Sequence, residues 1–189
     1  MKSEEKKEEN FRCFIALELP REAIDYIEEI QELIKKKNLF YGKFTEPENL
    51  HLTLKFLGEI DEKKIEEVKS RLKKIKLGGF EASLGELGFF SEKFIRILWM
   101  KINGKQIWDL QKEIDEKLKE AGFEPEERFM SHLTIGRIKK VTDKKMFAEY
   151  IKNVKTKKIK FNVEEFILKK SELKPEGPVY TDIEKYKLE

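Results

Sequence analysis

The sequence predicts a fold of mixed strands and helices arranged as two related lobes, and two observations carry that prediction. The chain has only two histidines, and each opens the same phrase, His51-Leu52-Thr53-Leu54 and His132-Leu133-Thr134-Ile135, 81 positions apart. Each phrase is followed by a Gly, a polar turn, a Lys-Lys pair and an amphipathic pattern, so the repeat is a strand-helix unit of about 25 residues. Two such units packed about a pseudo-twofold axis would bring the histidines together across a cleft, each with its threonine beside it.

Along the chain, Phe11 to Leu19 reads as a buried strand, and Pro20 opens a helix whose Ile24, Ile27 and Ile34 recur at helical spacing as far as Lys37. A loop containing Pro47 and Asn49 leads into the first His strand; Gly58 and Asp61 then punctuate a turn before a helix with Ile65, Val68, Leu72 and Ile75 on one side, closed by Gly78-Gly79. Phe80 to Phe90 and Phe94 to Ile102 form a hairpin through Ser91-Glu92-Lys93, with Ile95, Ile97 and Trp99 expected in its core. Ile107, Leu110, Ile114 and Leu118 give a third helix, with Gly122 just past its end and the second His strand beyond. Thr142 or Asp143 caps a helix carrying Phe147, Tyr150, Ile151 and Val154, and two late strands span Ile159 to Leu168 and Val179 to Tyr186.

Composition bounds the setting. With 189 residues and 14 Phe the chain can fill one core, so residues 11–189 are expected to be a single bilobal domain, and the mixed-charge residues 1–10 a disordered tail. Cys13 is the only cysteine, which excludes a disulfide framework or cysteine-rich metal site and points to a reducing, cytoplasmic location. No apolar run approaches the roughly 20 residues of a membrane span, and the N-terminus has no signal-peptide core. The 34 lysines against six arginines are similar to the Lys/Glu-rich bias of hyperthermophile proteins. Net charge is only +3 with both signs interspersed, so a polyanion must be held locally rather than by a basic stripe.

Strand alternation predicts His51, Thr53 and Lys55 on one face and Leu50, Leu52, Leu54 and Phe56 on the other. Two facing imidazoles, each with an ordinary pKa of about 6.5, can serve as base and acid in one displacement, each contributing roughly 10²- to 10⁴-fold and giving a bell-shaped pH profile. That division suits phosphodiester cleavage: the base deprotonates water or a hydroxyl, the acid protonates the departing sugar oxygen, and fixed donors meet the charge. Thr53 and Thr134 supply hydroxyls, and Arg137 or Lys55 a cation. Arg137 lies an odd number of positions from His132, so a kink at Gly136 is required to bring it to the same face. Two histidines without cysteines or a carboxylate cluster leave zinc short of ligands, and no Gly-x-Ser-x-Gly elbow supports a serine hydrolase. Phe89, Phe90, Trp99 and Phe129 are candidates to stack on a base.

The residues that carry a family likeness are Phe14-Ile15-Ala16-Leu17-Glu18-Leu19-Pro20, the run PENLHLTLKFLGEI from Pro47 to Ile60, SHLTIGRIK from Ser131 to Lys139, and Ser171-Glu172-Leu173 with Gly177-Pro178-Val179-Tyr180. Together they resemble the two-histidine (2H) phosphoesterases, in particular the RNA 2',3'-cyclic phosphodiesterases, also described as 2'-5' RNA ligase-like. The resemblance implies a bilobal α+β fold, two pseudo-symmetric lobes with antiparallel sheets facing a central cleft and helices packed outside. It further implies hydrolysis of RNA 2',3'-cyclic ends, or of cyclic-phosphate nucleotides, to 2'-phosphomonoesters without metal or other cofactor, and a monomer is expected. Carried over by motif, His51 is the proton donor to the leaving 3'-oxygen, His132 the proton acceptor that activates water, Thr53 and Thr134 bind phosphate oxygens, and Arg137 is the second motif's arginine. Ser131 stands where the family commonly has Pro, and Phe44 where an aromatic is often Trp. The alternatives are 2'-5' ligation of a cyclic phosphate to a 5'-hydroxyl, served by the same acid and base, and a nucleotide- or RNA-binding module without turnover.

Overall fold

The computed structural model describes residues 9–189, so the expected tail at 1–10 lies outside the described residues except for Glu9 and Asn10. The apolar run after it is β1 (Phe11–Glu18), followed past Pro20 by α1 (Arg21–Lys35). A short β2 (Phe40–Phe44) occupies what reads as loop in the sequence, because its five residues include Gly42 and bury little. A 3-10 turn at Pro47–Asn49 then feeds β3 (His51–Ile60), and Asp61 caps α2 (Glu62–Leu72) by accepting the Lys64 N–H at 2.7 Å. The second half comprises β4 (Phe80–Phe89), β5 (Ile97–Asn103), α3 (Lys105–Lys119), β6 (His132–Val141), α4 (Lys144–Asn153), β7 (Lys160–Val163), β8 (Glu165–Lys174) and β9 (Gly177–Lys187). Of the two candidate caps for α4, Asp143 accepts the Met146 N–H, while the Thr142 hydroxyl donates to the Leu39 carbonyl.

The structure also differs from the sequence expectation in β5 and across residues 159–168. In β5 the buried residues are Leu98, Met100 and Ile102, so Ile97 and Trp99 lie on the opposite face; Ile95 alone of the three expected residues joins the core. The single strand expected over 159–168 is split at Glu164 into β7, which pairs with β4, and β8, which pairs with β1, so one continuous stretch serves both lobes.

Among the described residues all strands form one antiparallel sheet in the order β7-β4-β5-β6-β3-β1-β8-β9, with β2 also beside β6. Its two halves meet at a single register pair, Leu52 with Leu133. Beyond that pair β3 follows β1 away from β6, and β2 takes its place along β6 from Gly136 to Val141. The sheet therefore splays from a joint that lies one residue past each histidine, and this opens the cleft.

The helices cover the opposite face, and they cross. Leaving β1, α1 packs under β6 and beside α4: Gln31 donates to the Ile135 carbonyl at 3.0 Å, and the Tyr150 hydroxyl to the Leu33 carbonyl. Leaving β5, α3 packs under β3 and beside α2, with Arg71 of α2 paired to Glu120 at the end of α3. The core below the sheet includes the fully buried Ile15, Ile27, Leu52, Leu54, Leu98, Met100, Leu133, Ile135, Phe147 and Phe166, which supply the apolar burial that drives folding.

Candidate functional site

Both histidines begin their strands at the joint and line one cleft of about 820 Å³. Their rings are held identically. His51 Nδ1 lies 2.8 Å from the Asn49 carbonyl and His132 Nδ1 lies 2.8 Å from the Met130 carbonyl, in each case two residues upstream. A carbonyl only accepts, so Nδ1 carries the hydrogen and Nε2 is left for the cleft, as a lone pair in the neutral ring or as a donor in the charged one. Thr53 and Thr134 stand two residues on, on the same face.

The strands then depart from strict alternation in the same way. In β3, Thr53 pairs with Ala16 and Lys55 with Ile15, leaving Leu54 as an extra residue; in β6, Thr134 pairs with Trp99 and Gly136 with Leu98, leaving Ile135 extra. Each bulge inverts the facing of the residues beyond it. In β6 it turns Arg137 onto the cleft, which is the kink its odd spacing requires. Gly42 permits this, since a Cβ there would collide with the Arg137 carbonyl, and Gln31 holds the bulge from below through the Ile135 and Thr45 carbonyls. In β3 the same inversion corrects the expected facing: Phe56 swings out, 67% exposed, while Lys55 turns to the helix side and is 4% exposed.

Lys55 is thus not placed as a cleft cation. Its ammonium pairs with Asp115 of α3 and donates to the Glu124 carbonyl at 2.7 Å. Asp115 also accepts from Gln111 at 2.7 Å and from the Glu126 N–H at 2.9 Å. This buried network fixes the segment that leads to Met130, whose carbonyl orients His132. Ser131 is buried and its hydroxyl donates to the Ile102 carbonyl at 2.8 Å, tying the start of β6 to the end of β5 where a proline could offer no such bond.

Aromatic rings flank each imidazole. Phe14 and Tyr180 lie 4.9 and 5.0 Å from His51, and Phe90 lies 5.0 Å from His132, edge-on. Of the stacking candidates, Phe90 and Phe129 line the cleft; Phe89 packs on Phe147 in the core, and Trp99 sits beneath Phe90. Phe44, at the site expected for a tryptophan, also lines the cleft and packs edge-on against Phe40. The sequence reading missed Arg12, Phe14, Phe56, Arg128 and Tyr180, all of which line the cleft. The scarcity of arginine was the available signal for the first and fourth.

Burial pushes the His51 imidazole down to about 4, opposed by its bond to Asn49 and reinforced by the Lys169 charge. Lys169 is itself held between Glu18 and Asp182. His51 is therefore neutral near pH 7. No helix of the described residues is long and apolar enough to cross a membrane, and no group of three metal-ligating side chains occurs among them.

Comparison with known proteins agrees with this geometry. The family described as LigT like Phosphoesterase matches residues 17–99 and 102–180. The RNA 2',3'-cyclic phosphodiesterase of Methanothermobacter thermautotrophicus is 35% identical over 94% of this chain and 98% of its own length, and that of Methanocaldococcus jannaschii 35% over 93% and 99%. Among solved structures, TT0787 of Thermus thermophilus superposes with a TM-score of 0.77 at 28% identity, covering 94% of this chain and 97% of its own. Escherichia coli LigT, at 22% identity and a TM-score of 0.76 over 95% and 98%, shares the fold. The paired histidine strands, their bulges and these matches together establish that the chain belongs to the LigT-like phosphoesterases of the two-histidine superfamily.

Proposed function

We propose that the protein hydrolyses RNA 2',3'-cyclic phosphate ends to 2'-phosphomonoesters by a metal-independent paired-histidine mechanism. One observation carries the reading: two imidazoles on adjoining strands, each tethered through Nδ1 to a backbone carbonyl, present Nε2 to one cleft that is also lined by Thr53, Thr134 and Arg137. Binding alone has no need of two titratable groups locked in the same tautomer. The relatives' common designation as RNA 2',3'-cyclic phosphodiesterases supports the substrate class.

In this mechanism His132 accepts a proton from water through Nε2 as the oxygen attacks phosphorus. The bond from phosphorus to the 3'-oxygen breaks, and His51 gives that oxygen a proton from its own Nε2. Thr53, Thr134 and Arg137 meet the charge on the non-bridging oxygens, where pre-aimed donors act most strongly. Burial keeps His51 neutral near pH 7, so the donor role requires the anionic substrate to draw a proton onto it; an adjacent negative charge favours the imidazolium. The 2'-oxygen stays on phosphorus and leaves as the 2'-phosphomonoester. The cytoplasm is the proposed location, and a monomer the proposed state.

The test is incubation of an RNA oligomer ending in a 2',3'-cyclic phosphate with wild type, His51→Ala and His132→Ala, in the presence of a chelator, with the end group read by mass and phosphorus NMR. A 2'-phosphate formed by wild type alone is the expected result. Intact ends in all three samples would remove the hydrolytic reading and leave a binding module.

A further inference from the structure

Arginine is distributed in this molecule in a way that lysine is not. Of the six arginines, Arg21 and Arg71 are in ion pairs and Arg96 donates to the Lys139 carbonyl at 2.6 Å. The other three, Arg12, Arg128 and Arg137, all line the histidine cleft, and none forms an ion pair or side-chain hydrogen bond among the described residues. The two lysines of the cleft lining are both engaged, Lys43 with Glu46 and the Glu176 carbonyl, and Lys55 with Asp115. The uncommitted cations of the cleft are thus all guanidinium groups, in a chain where lysine is the default cation.

A guanidinium offers a planar fork that matches two phosphate oxygens, which an ammonium cannot do. One terminal cyclic phosphate is already served by Arg137, two threonines and two imidazoles, so two further guanidinium groups exceed what a single phosphate can use. They also stand on different walls. Arg12 lies on β1 opposite Ser171, two residues from the Phe14 that packs on His51. Arg128 lies between α3 and β6, two residues before the Met130 that orients His132. Arg12 and Arg137 both bear electrostatically on the Tyr180 phenol, whose ring touches His51, so Arg12 shares the reacting centre's surroundings. Glu126 and Glu176 of the lining pair with neither Arg12 nor Arg128.

We infer that Arg12 and Arg128 bind backbone phosphates of an RNA strand whose terminal cyclic phosphate lies between the histidines, so that the protein selects polynucleotide ends over cyclic mononucleotides. The inference rests on the proposed function and deepens it by naming the residues that hold the strand upstream of the reacting end and the length preference they impose. Single-stranded RNA fits because its phosphates recur along the strand, whereas a small cyclic nucleotide has none beyond the one that reacts. A cleft of about 820 Å³ lies toward the upper end of the range that encloses one small ligand, leaving room beyond the terminal residue.

The test is a ladder of substrates ending in 2',3'-cyclic adenosine phosphate: the mononucleotide, the same with a 5'-phosphate, and oligoadenylates of two, three and five residues. The readout is the ratio of kcat/KM for each to that of the mononucleotide, in wild type, Arg12→Ala, Arg128→Ala and the two Arg→Lys variants, with Tm as a folding check. We expect the wild-type ratio to rise with length and to fall about tenfold with each Arg→Ala change, as for loss of a charge-assisted bond. The slope of log kcat/KM against log salt should become shallower by about 0.7 per arginine removed. A wild-type ratio of one, or a length preference that survives both Arg→Ala changes, overturns the inference while leaving hydrolysis standing. A 5'-phosphorylated mononucleotide matching the longest oligomer overturns the RNA strand in favour of a free nucleotide. Should no substrate turn over, the proposed function fails, and the same ladder ending in 2'-phosphate, measured by anisotropy, decides the length preference by affinity.

Discussion

Lys55 and Asp115 form a buried ion pair that joins the strand of the first histidine to the segment that orients the second. The pair crosses from β3 to α3, and its remaining bonds run to Glu124, Gln111 and Glu126, so each charge is enclosed by fixed partners. Removing one partner strands the other. Lys55→Met is expected to cost about 3–5 kcal/mol in denaturant unfolding, whereas Lys55→Met with Asp115→Leu recovers most of that loss. The double variant should still turn over poorly, because the backbone of 124–126 is released and Met130 no longer holds the His132 ring. Full activity in the double variant would reduce the pair to a purely structural element.

Arg137 reaches the cleft only through the bulge at Ile135, and Gln31 holds that bulge. Arg137→Ala is expected to lower kcat/KM roughly 10²- to 10³-fold, the range for loss of one pre-aimed donor, with Arg137→Lys falling between. Gln31→Leu takes the amide donor from the part-buried Thr45 carbonyl and leaves the buried Ile135 carbonyl with only the Thr45 N–H, and is expected to cost about 1–3 kcal/mol of stability. Its kinetic effect should vanish in the Arg137→Ala background, since both changes remove one placement. Additive kinetic losses in the double-mutant cycle would separate Gln31 from the site.

His51 supplies a pH prediction. Its folded value of about 4 is below the ordinary one, so between the two the unfolded chain binds more protons than the folded one. Stability from this group is fully present above about pH 6.5 and is lost as pH falls toward 4. Tm should fall less steeply across that window in His51→Gln than in wild type.

The same ring gives a ligand prediction. Titration of His51 by proton–carbon NMR should show its value rising when inorganic phosphate fills the cleft, as the anion favours the imidazolium. A value that stays near 4 with phosphate bound would leave His51 unprotonated at neutral pH and exchange the two roles, making His51 the acceptor.

The sequence carried the histidine–threonine pairs because side-chain period is local: His51 with Thr53 and His132 with Thr134 need nothing but an extended backbone. The facing of residues beyond each bulge was not legible in that period, since one inserted residue reverses every later side chain and Leu54 looks like any buried leucine. Strict alternation therefore puts Lys55 and Phe56 on each other's faces. Arg137 escaped the same error only because its odd spacing, beside Gly136, demanded a kink. A strand running unbroken from Phe94 would point Ile97 and Trp99 inward with Ile95; the strand instead begins at Ile97, and Leu98 takes the inward position. The helices were readable as amphipathic, but which lobe each covers is a tertiary choice with no local signature.

That choice determines how the molecule comes apart. Because α1 leaves β1 to cover β6, and α3 leaves β5 to cover β3, each half lends the other the helix that seals its sheet. Neither repeat can keep its apolar face from water by itself, so the halves cannot melt in sequence. Despite its internal duplication the chain should lose structure in one cooperative step, with the single joint at Leu52 and Leu133 protected from hydrogen exchange as long as both crossings hold.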